Sequence, residues 1–111
     1  MKRNKFSQRS LKFIERNSLS NAKTINYVTS LATKAFEFTN IQFVNFLNTT
    51  ALCIIENQDK FYFVLNTEYI ELQLYYNNIK IQEFQGDSCW YQGLKFLKHN
   101  ILNKLQKEEL L

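Results

Sequence analysis

The spacing of apolar residues along this 111-residue chain changes from a helical period to a strand period near residue 51. Over residues 18–36, SLSNAKTINYVTSLATKAF, apolar side chains recur every three or four positions and therefore share one side of a helix. Ser20 can act as the N-cap of this helix. The pattern predicts a helix whose apolar side consists of Ile25, Val28, Ala32, Ala35 and Phe36.

From residue 51 to residue 85, apolar and polar residues alternate with a period of two, which is typical of strands with one face on a core. The four strand-like runs are ALCIIE, KFYFVL, EYIELQLYY and IKIQEF, and they are separated by NQD, NT and NN. Asn77-Asn78 suits a two-residue hairpin turn because asparagine tolerates positive φ. The pattern predicts a four-stranded antiparallel meander over about 51–85.

The two short turns, NT and NN, also predict the register of this meander. Pairing Tyr76 with Ile79, and Leu65 with Glu68, brings one set of apolar side chains to a common inner face. The set consists of Leu52, Ile54, Phe61, Phe63, Ile70, Leu72, Leu74, Ile79 and Ile81. The same registers place Phe84 on the outer face and Glu83 on the inner face. An inward carboxylate at Glu83 requires a partner or a position at a frayed strand end. The alternative is that Glu83 is a general base with a perturbed pKa.

The last stretch of the chain, from about Ser88 to Gln106, predicts a second helix. Asp87 or Ser88 can cap it. Its apolar side consists of Trp90, Leu94, Leu97, Ile101 and Leu105. Both helices are expected to pack on the apolar face of the meander, which gives one domain of the α+β class. Residues 37–50, EFTNIQFVNFLNTT, fit a second short helix or an irregular strand equally well, and their structure is left open.

Charge divides the chain into two parts. Residues 1–16 carry six basic side chains and one acidic, which leaves eight of the 14 basic and nine of the ten acidic side chains for residues 17–111. We therefore predict a basic N-terminal arm over 1–16 and a nearly neutral domain over 17–111. The arm could bind the phosphates of nucleic acid, an acidic partner or an anionic membrane. It could also be a solvated tail that binds nothing. The candidate phosphate-binding residues are Lys2, Arg3, Lys5, Arg9, Lys12 and Arg16.

The sequence contains no recognisable catalytic or metal-binding constellation. Cys89 and His99 lie ten residues apart on one predicted helix, about 15 Å along its axis, which is too far for a thiolate–imidazole pair. Cys53 and Cys89 form no C-x-x-C motif, and one histidine cannot complete a zinc site. We predict no enzyme activity, catalytic residue, metal or cofactor. If the protein were an enzyme, Cys89 would be the first candidate for a catalytic residue, because a helix start lowers the pKa of a thiol.

The outer face of the meander is unusually rich in aromatic residues for a surface that meets water. Together with the lack of catalytic residues, it predicts a small non-enzymatic interaction protein, such as an adaptor, assembly factor or inhibitor, which binds a larger partner or a second copy of itself. The alternative is a nucleic-acid-binding accessory protein whose arm contacts phosphates while its tyrosines stack on bases. The expected partner-binding residues are Ile55, Tyr62, Val64, Tyr69, Tyr75 and Lys80.

Two structural explanations of the aromatic outer face also remain open. Residues 37–50 could fold across it, or the aromatic residues could simply stabilise the sheet through cross-strand pairs. The two unpaired cysteines, the lack of an apolar run of about 18 residues and the lack of a secretory signal predict a soluble protein. The expected location is a reducing compartment, either the cytoplasm or the stroma or matrix of an organelle. The abundance of Lys, Asn, Ile and Phe indicates an AT-rich genome.

Overall fold

A computed structural model describes residues 8–102, which form helices on one face of a five-stranded antiparallel sheet, confirming the α+β class. Helix α1 is Gln8–Asn17. Helix α2, Ala22–Ser30, continues as a π-helical turn over Leu31–Ala35, and helix α3, Cys89–Phe96, continues likewise over Leu97–Leu102. The strands are β1 (Ile41–Phe46), β2 (Thr49–Glu56), β3 (Asp59–Asn66), β4 (Glu71–Tyr76) and β5 (Ile79–Phe84), and they are neighbours in that order.

The four-strand prediction lacked strand β1. This strand forms within residues 37–50, the segment whose structure the sequence left open. It pairs with β2 so that Phe43 lies opposite Leu52. Leu47 and Asn48 connect the two strands with φ angles of 54° and 62°. Two successive positive φ values give the hairpin turn whose twist matches that of the strands. The segment therefore extends the sheet as an edge strand.

The predicted turn at Asn77-Asn78 is present, with φ angles of 54° and 64°. The predicted turn between β3 and β4 was wrong, because β4 begins only at Glu71 and Leu65 lies opposite Leu72 instead of Glu68. This shift of four residues is even, and side chains alternate with a period of two. Leu72 and Leu74 therefore stay on the predicted inner face although the register differs, whereas Ile70, also predicted there, lies in the turn before β4.

The predictions that Glu83 lies on the inner face and Phe84 on the outer face were both wrong. A β-bulge interrupts the ladder between β4 and β5 at Ile81. The extra residue reverses the face on which the following side chains lie. Glu83 lies opposite Gln73 on the outer face, and Phe84 lies opposite Leu72 on the inner face. The inner face thereby gains a buried aromatic ring and loses a carboxylate. Ile79 and Ile81, which were also predicted on the buried inner face, are exposed.

Helix α3 packs closely against the inner face. A Cβ atom at Gly93 would lie only 2.9 Å from Cε1 of Phe63 and 3.1 Å from Cδ2 of Leu72, so the absence of a side chain at Gly93 permits this approach. The predicted apolar side of the helix is buried at Trp90, Leu94 and Leu97. Ile101 is half-buried, and Leu105 lies outside the described residues.

Helices α1 and α2 complete the core on the same face. Helix α2 is capped by Asn21, whose Oδ1 accepts a hydrogen bond from the backbone N–H of Lys23, and not by Ser20 as predicted. Val28 is fully buried in the core, which Phe13 of α1 also joins. The division of the chain at residue 17 stays a prediction. Within residues 8–102, none of the helices combines the length and the apolar character needed to cross a bilayer.

Candidate functional site

Helix α1 is fixed to the rest of the fold through Asn17, a buried polar residue at its C-terminal end. The carbonyl oxygen of Asn17 accepts a hydrogen bond of 3.0 Å from Nε1 of Trp90. Its side-chain Nδ2 donates to the carbonyl of Phe13 at 2.9 Å, and its Oδ1 accepts from Sγ of Cys89 at 3.6 Å. The bonds from Trp90 and Cys89 join the end of α1 to the first turn of α3 and set the orientation of α1.

In this orientation, the basic residues of α1 line a cleft with a volume of about 510 Å³. Arg9, Lys12 and Arg16 are spaced by three and four residues, so they lie on one side of the helix. The opposite wall of the cleft comes from the turn between β3 and β4 and from the loop that precedes α3. We call this site the basic cleft, and its lining residues are Gln8, Arg9, Ser10, Lys12, Phe13, Arg16, Ile70, Gly86 and Asp87.

Counted over residues 8–102, the basic cleft holds three cationic side chains and one carboxylate. Nη1 of Arg16 lies 3.7 Å from Oδ2 of Asp87, and both side chains are mostly exposed. Such a surface pair stabilises a protein by about 0–1 kcal/mol and exchanges readily with other ions. Among residues 8–102, neither Arg9 nor Lys12 has an ion-pair partner. The cleft therefore presents an excess of positive charge in a concave site.

The turn between β3 and β4 forms one rim of the basic cleft. Oδ1 of Asn66 accepts hydrogen bonds of 2.9 Å from the backbone N–H groups of both Glu68 and Tyr69, which closes the turn. The next residue, Ile70, has a φ of 54°, which is rare for a β-branched residue. Ile70 lines the cleft, whereas the side chain of Tyr69 is 64% exposed.

The outer sheet face is covered by aromatic rings that contact one another. The ring of Phe46 stacks on that of Tyr62, with centroids 4.3 Å apart and planes 3° from parallel. It also meets the ring of Tyr75 edge-on at 5.3 Å. Phe46 comes from β1, the strand that the sequence did not identify. We call these three rings the aromatic cover, and the residues buried on the same face are Ala51, Cys53, Val64, Glu71 and Gln73.

A polar network occupies the other side of the outer face, around the buried carboxylate of Glu71. Oε2 of Glu71 accepts a 2.8 Å hydrogen bond from Nε2 of Gln73, and Oε1 accepts one of 3.3 Å from Nε2 of Gln85. Nζ of Lys80 lies 2.7 Å from Glu83 and 3.7 Å from Glu71. The hydrogen bond to Glu83 is the main reason why the pKa of Lys80 is raised. Lys80 is thus held by two carboxylates.

The predicted partner-binding residues do not form one exposed surface. Ile55, Tyr62 and Tyr75 are half-buried, and Val64 is buried. Lys80 belongs to the polar network, and Tyr69 lies in the turn beside the basic cleft instead of on the sheet. The interaction role of this set stays a prediction.

Three of the six predicted phosphate-binding residues meet in the basic cleft, namely Arg9, Lys12 and Arg16. The other three, Lys2, Arg3 and Lys5, lie outside the described residues. Sequence reasoning missed Ile70, Gly86 and Asp87, since only the fold brings them to α1. The helical spacing of the three basic residues was the one signal that could have indicated a shared side.

The two cysteines are free, buried thiols. Burial raises the pKa of Cys89 to about 12, which outweighs the lowering expected at a helix start. Burial also raises the pKa of Cys53 on the outer face. Both thiols therefore remain protonated at neutral pH. Within the part of the chain that the structure describes, no group of His, Cys, Asp and Glu is arranged to hold a metal ion.

Comparisons with known proteins add no assignment to this geometry. A scan against protein-family models finds no match for the chain, and searches of curated proteins and of solved structures find no significant match either.

Proposed function

We propose that the protein is a non-enzymatic accessory protein that binds nucleic acid, with the basic cleft as the site of phosphate contact. The observation that carries the proposal is the placement of Arg9, Lys12 and Arg16 on one side of α1, in a concave site to which the described part of the chain adds one carboxylate, that of Asp87. Guanidinium and ammonium groups gathered in this way neutralise phosphates and release their counterions.

The packing of α1 favours nucleic acid over a membrane surface as the anionic ligand. A helix that lies in a membrane interface needs a free apolar side next to its basic side. In α1 that side is used by the fold, because Phe13 is buried and Ile14 packs against the core. Leu11, at 52% exposed, is the large apolar side chain that α1 leaves at the surface.

The proposal predicts that neutralising the basic cleft weakens binding and makes it less dependent on salt. The variant is Arg9→Gln/Lys12→Gln/Arg16→Gln, and the measurement is fluorescence anisotropy of a labelled mixed-sequence single-stranded RNA at several salt concentrations. Removing three phosphate contacts should reduce the slope of log K against log salt by about 2 and the affinity at least about tenfold near physiological salt. Substitution is preferable to deletion, because removing α1 would also remove Phe13 from the core.

The matched control carries the same change in net charge at exposed lysines elsewhere, Lys34→Gln/Lys60→Gln/Lys95→Gln. It should leave the slope close to that of the wild type. Equal losses in both variants would mean that overall charge, and not the cleft, attracts the RNA. Absence of binding by the wild-type protein even at low salt would contradict the proposed function.

A second candidate function is a protein–protein surface on the outer sheet face, for a larger partner or a second copy of the chain. It is favoured by the half-exposed rings of Tyr62 and Tyr75 next to the half-exposed Ile55. Aromatic residues are enriched at interface cores. For self-association, we expect Ile55→Lys to convert a dimer to a monomer in sedimentation velocity without a large change in melting temperature. A wild-type chain that stays monomeric at every concentration would contradict self-association.

A further inference from the structure

Tyr69 differs from the tyrosines of the sheet in having no ring partner. Tyr62, Tyr75 and Tyr76 each contact another aromatic ring. Tyr69 makes no such contact among residues 8–102, and its side chain is 64% exposed. Its backbone is nevertheless held in a closed turn by Asn66. A large, flat, partly apolar side chain is thus presented to solvent from a fixed position.

That position is the rim of the basic cleft. Tyr69 directly precedes Ile70, which lines the cleft together with Arg9, Lys12 and Arg16. Adjacent Cα atoms lie about 3.8 Å apart, so the backbone of Tyr69 lies one residue from the cleft wall. Ile70 has a left-handed φ of 54°, so the chain turns directly after Tyr69.

From this juxtaposition, and given the proposed function, we infer that the basic cleft binds single-stranded nucleic acid, with phosphates in the cleft and an unpaired base stacked on Tyr69. Every base has a flat face that can stack on an aromatic side chain, so this contact requires no particular sequence. In a duplex, the bases are already stacked on one another and their faces are not available to a protein surface. A duplex could therefore use the cations of the cleft but not the ring of Tyr69.

The test compares Tyr69→Ala and Tyr69→Phe on a labelled single-stranded RNA and on the same RNA annealed to its complement. Tyr69→Ala should weaken single-strand binding by roughly five- to 150-fold, which is the range for loss of one base–aromatic stack. It should leave duplex binding and the salt slope unchanged, because the phosphate contacts remain. Tyr69→Phe should retain single-strand binding, because it keeps the flat ring.

The control is Ile79→Ala, which removes an equally exposed residue, also at 64%, from the start of β5, next to the turn at the other end of β4. It should bind like the wild type. An equal loss of single-strand and duplex binding in Tyr69→Ala would overturn the stacking inference. Unchanged single-strand binding in Tyr69→Ala would overturn it too, and the proposed function would still stand if neutralising the cleft abolishes binding. Failure of the wild type to bind either RNA would remove both.

Discussion

Trp90→Ala is expected to lower the free energy of unfolding by about 3–5 kcal/mol, the usual cost of removing a large buried aromatic side chain. Trp90 is 1% exposed, and its ring lies 5.9 Å from that of Phe63 on the sheet. The substitution also removes the hydrogen-bond donor of the Asn17 carbonyl. Since domains are stable by about 5–15 kcal/mol, the variant should be close to unfolding at room temperature.

Urea denaturation followed by far-ultraviolet circular dichroism measures this loss, because the variant has no tryptophan left for fluorescence. Trp90→Phe is the matched control, since it keeps an aromatic ring but loses the indole N–H. Leaving the buried Asn17 carbonyl without its donor should cost about 1–3 kcal/mol, so the control should fall between wild type and Trp90→Ala. A loss below about 1 kcal/mol in Trp90→Ala would contradict the packing of α3 on the sheet.

Gly93→Leu is expected to be the second most damaging change. It should lower the free energy of unfolding by at least about 3 kcal/mol, which is the upper end of the usual cost of overpacking a core. Even a Cβ atom at this position would lie 2.9 Å from Phe63 and 3.1 Å from Leu72. A leucine side chain would have to push α3 away from the sheet. The measurement is again the midpoint and slope of urea denaturation.

Gly93→Ala separates the steric effect from the effect of glycine on the helix. Alanine favours a helix over glycine by about 1 kcal/mol, which partly offsets the contact of its Cβ with Phe63. Gly93→Ala should therefore be much milder than Gly93→Leu. A Gly93→Leu variant as stable as the wild type would mean that α3 lies farther from the sheet than the structure places it.

The sequence allowed four of the five strands to be identified, because their apolar residues alternate with a period of two. The face assigned from this alternation is insensitive to even shifts of register. The error of four residues that set Leu65 against Glu68 therefore left Leu72 and Leu74 on the inner face. The strand it missed, β1, ends in a turn at Leu47-Asn48. Leucine at positive φ gives no turn signal, whereas Asn77-Asn78 was recognised because asparagine commonly adopts that conformation.

The bulge at Ile81 and the basic cleft could not be predicted for a different reason. The run IKIQEF alternates regularly, and no glycine marks the extra residue that reverses Glu83 and Phe84. The cleft needs α1, the turn at Ile70 and the loop at Gly86 to meet, and only tertiary packing brings them together. Its cationic residues were nevertheless named from charge alone.

The hydrogen bond between Trp90 and Asn17 has a consequence for the order in which the molecule forms on the ribosome. It joins residues 73 positions apart, so the helix that carries the cationic side chains is anchored by an element translated after the whole sheet. Synthesis proceeds from the N-terminus, and α1 emerges long before α3. A nascent chain whose Trp90 has not yet left the ribosome lacks both this anchor and a fixed cleft. The basic cleft is therefore among the last parts of the molecule to take shape, although most of its charges are made before the sheet.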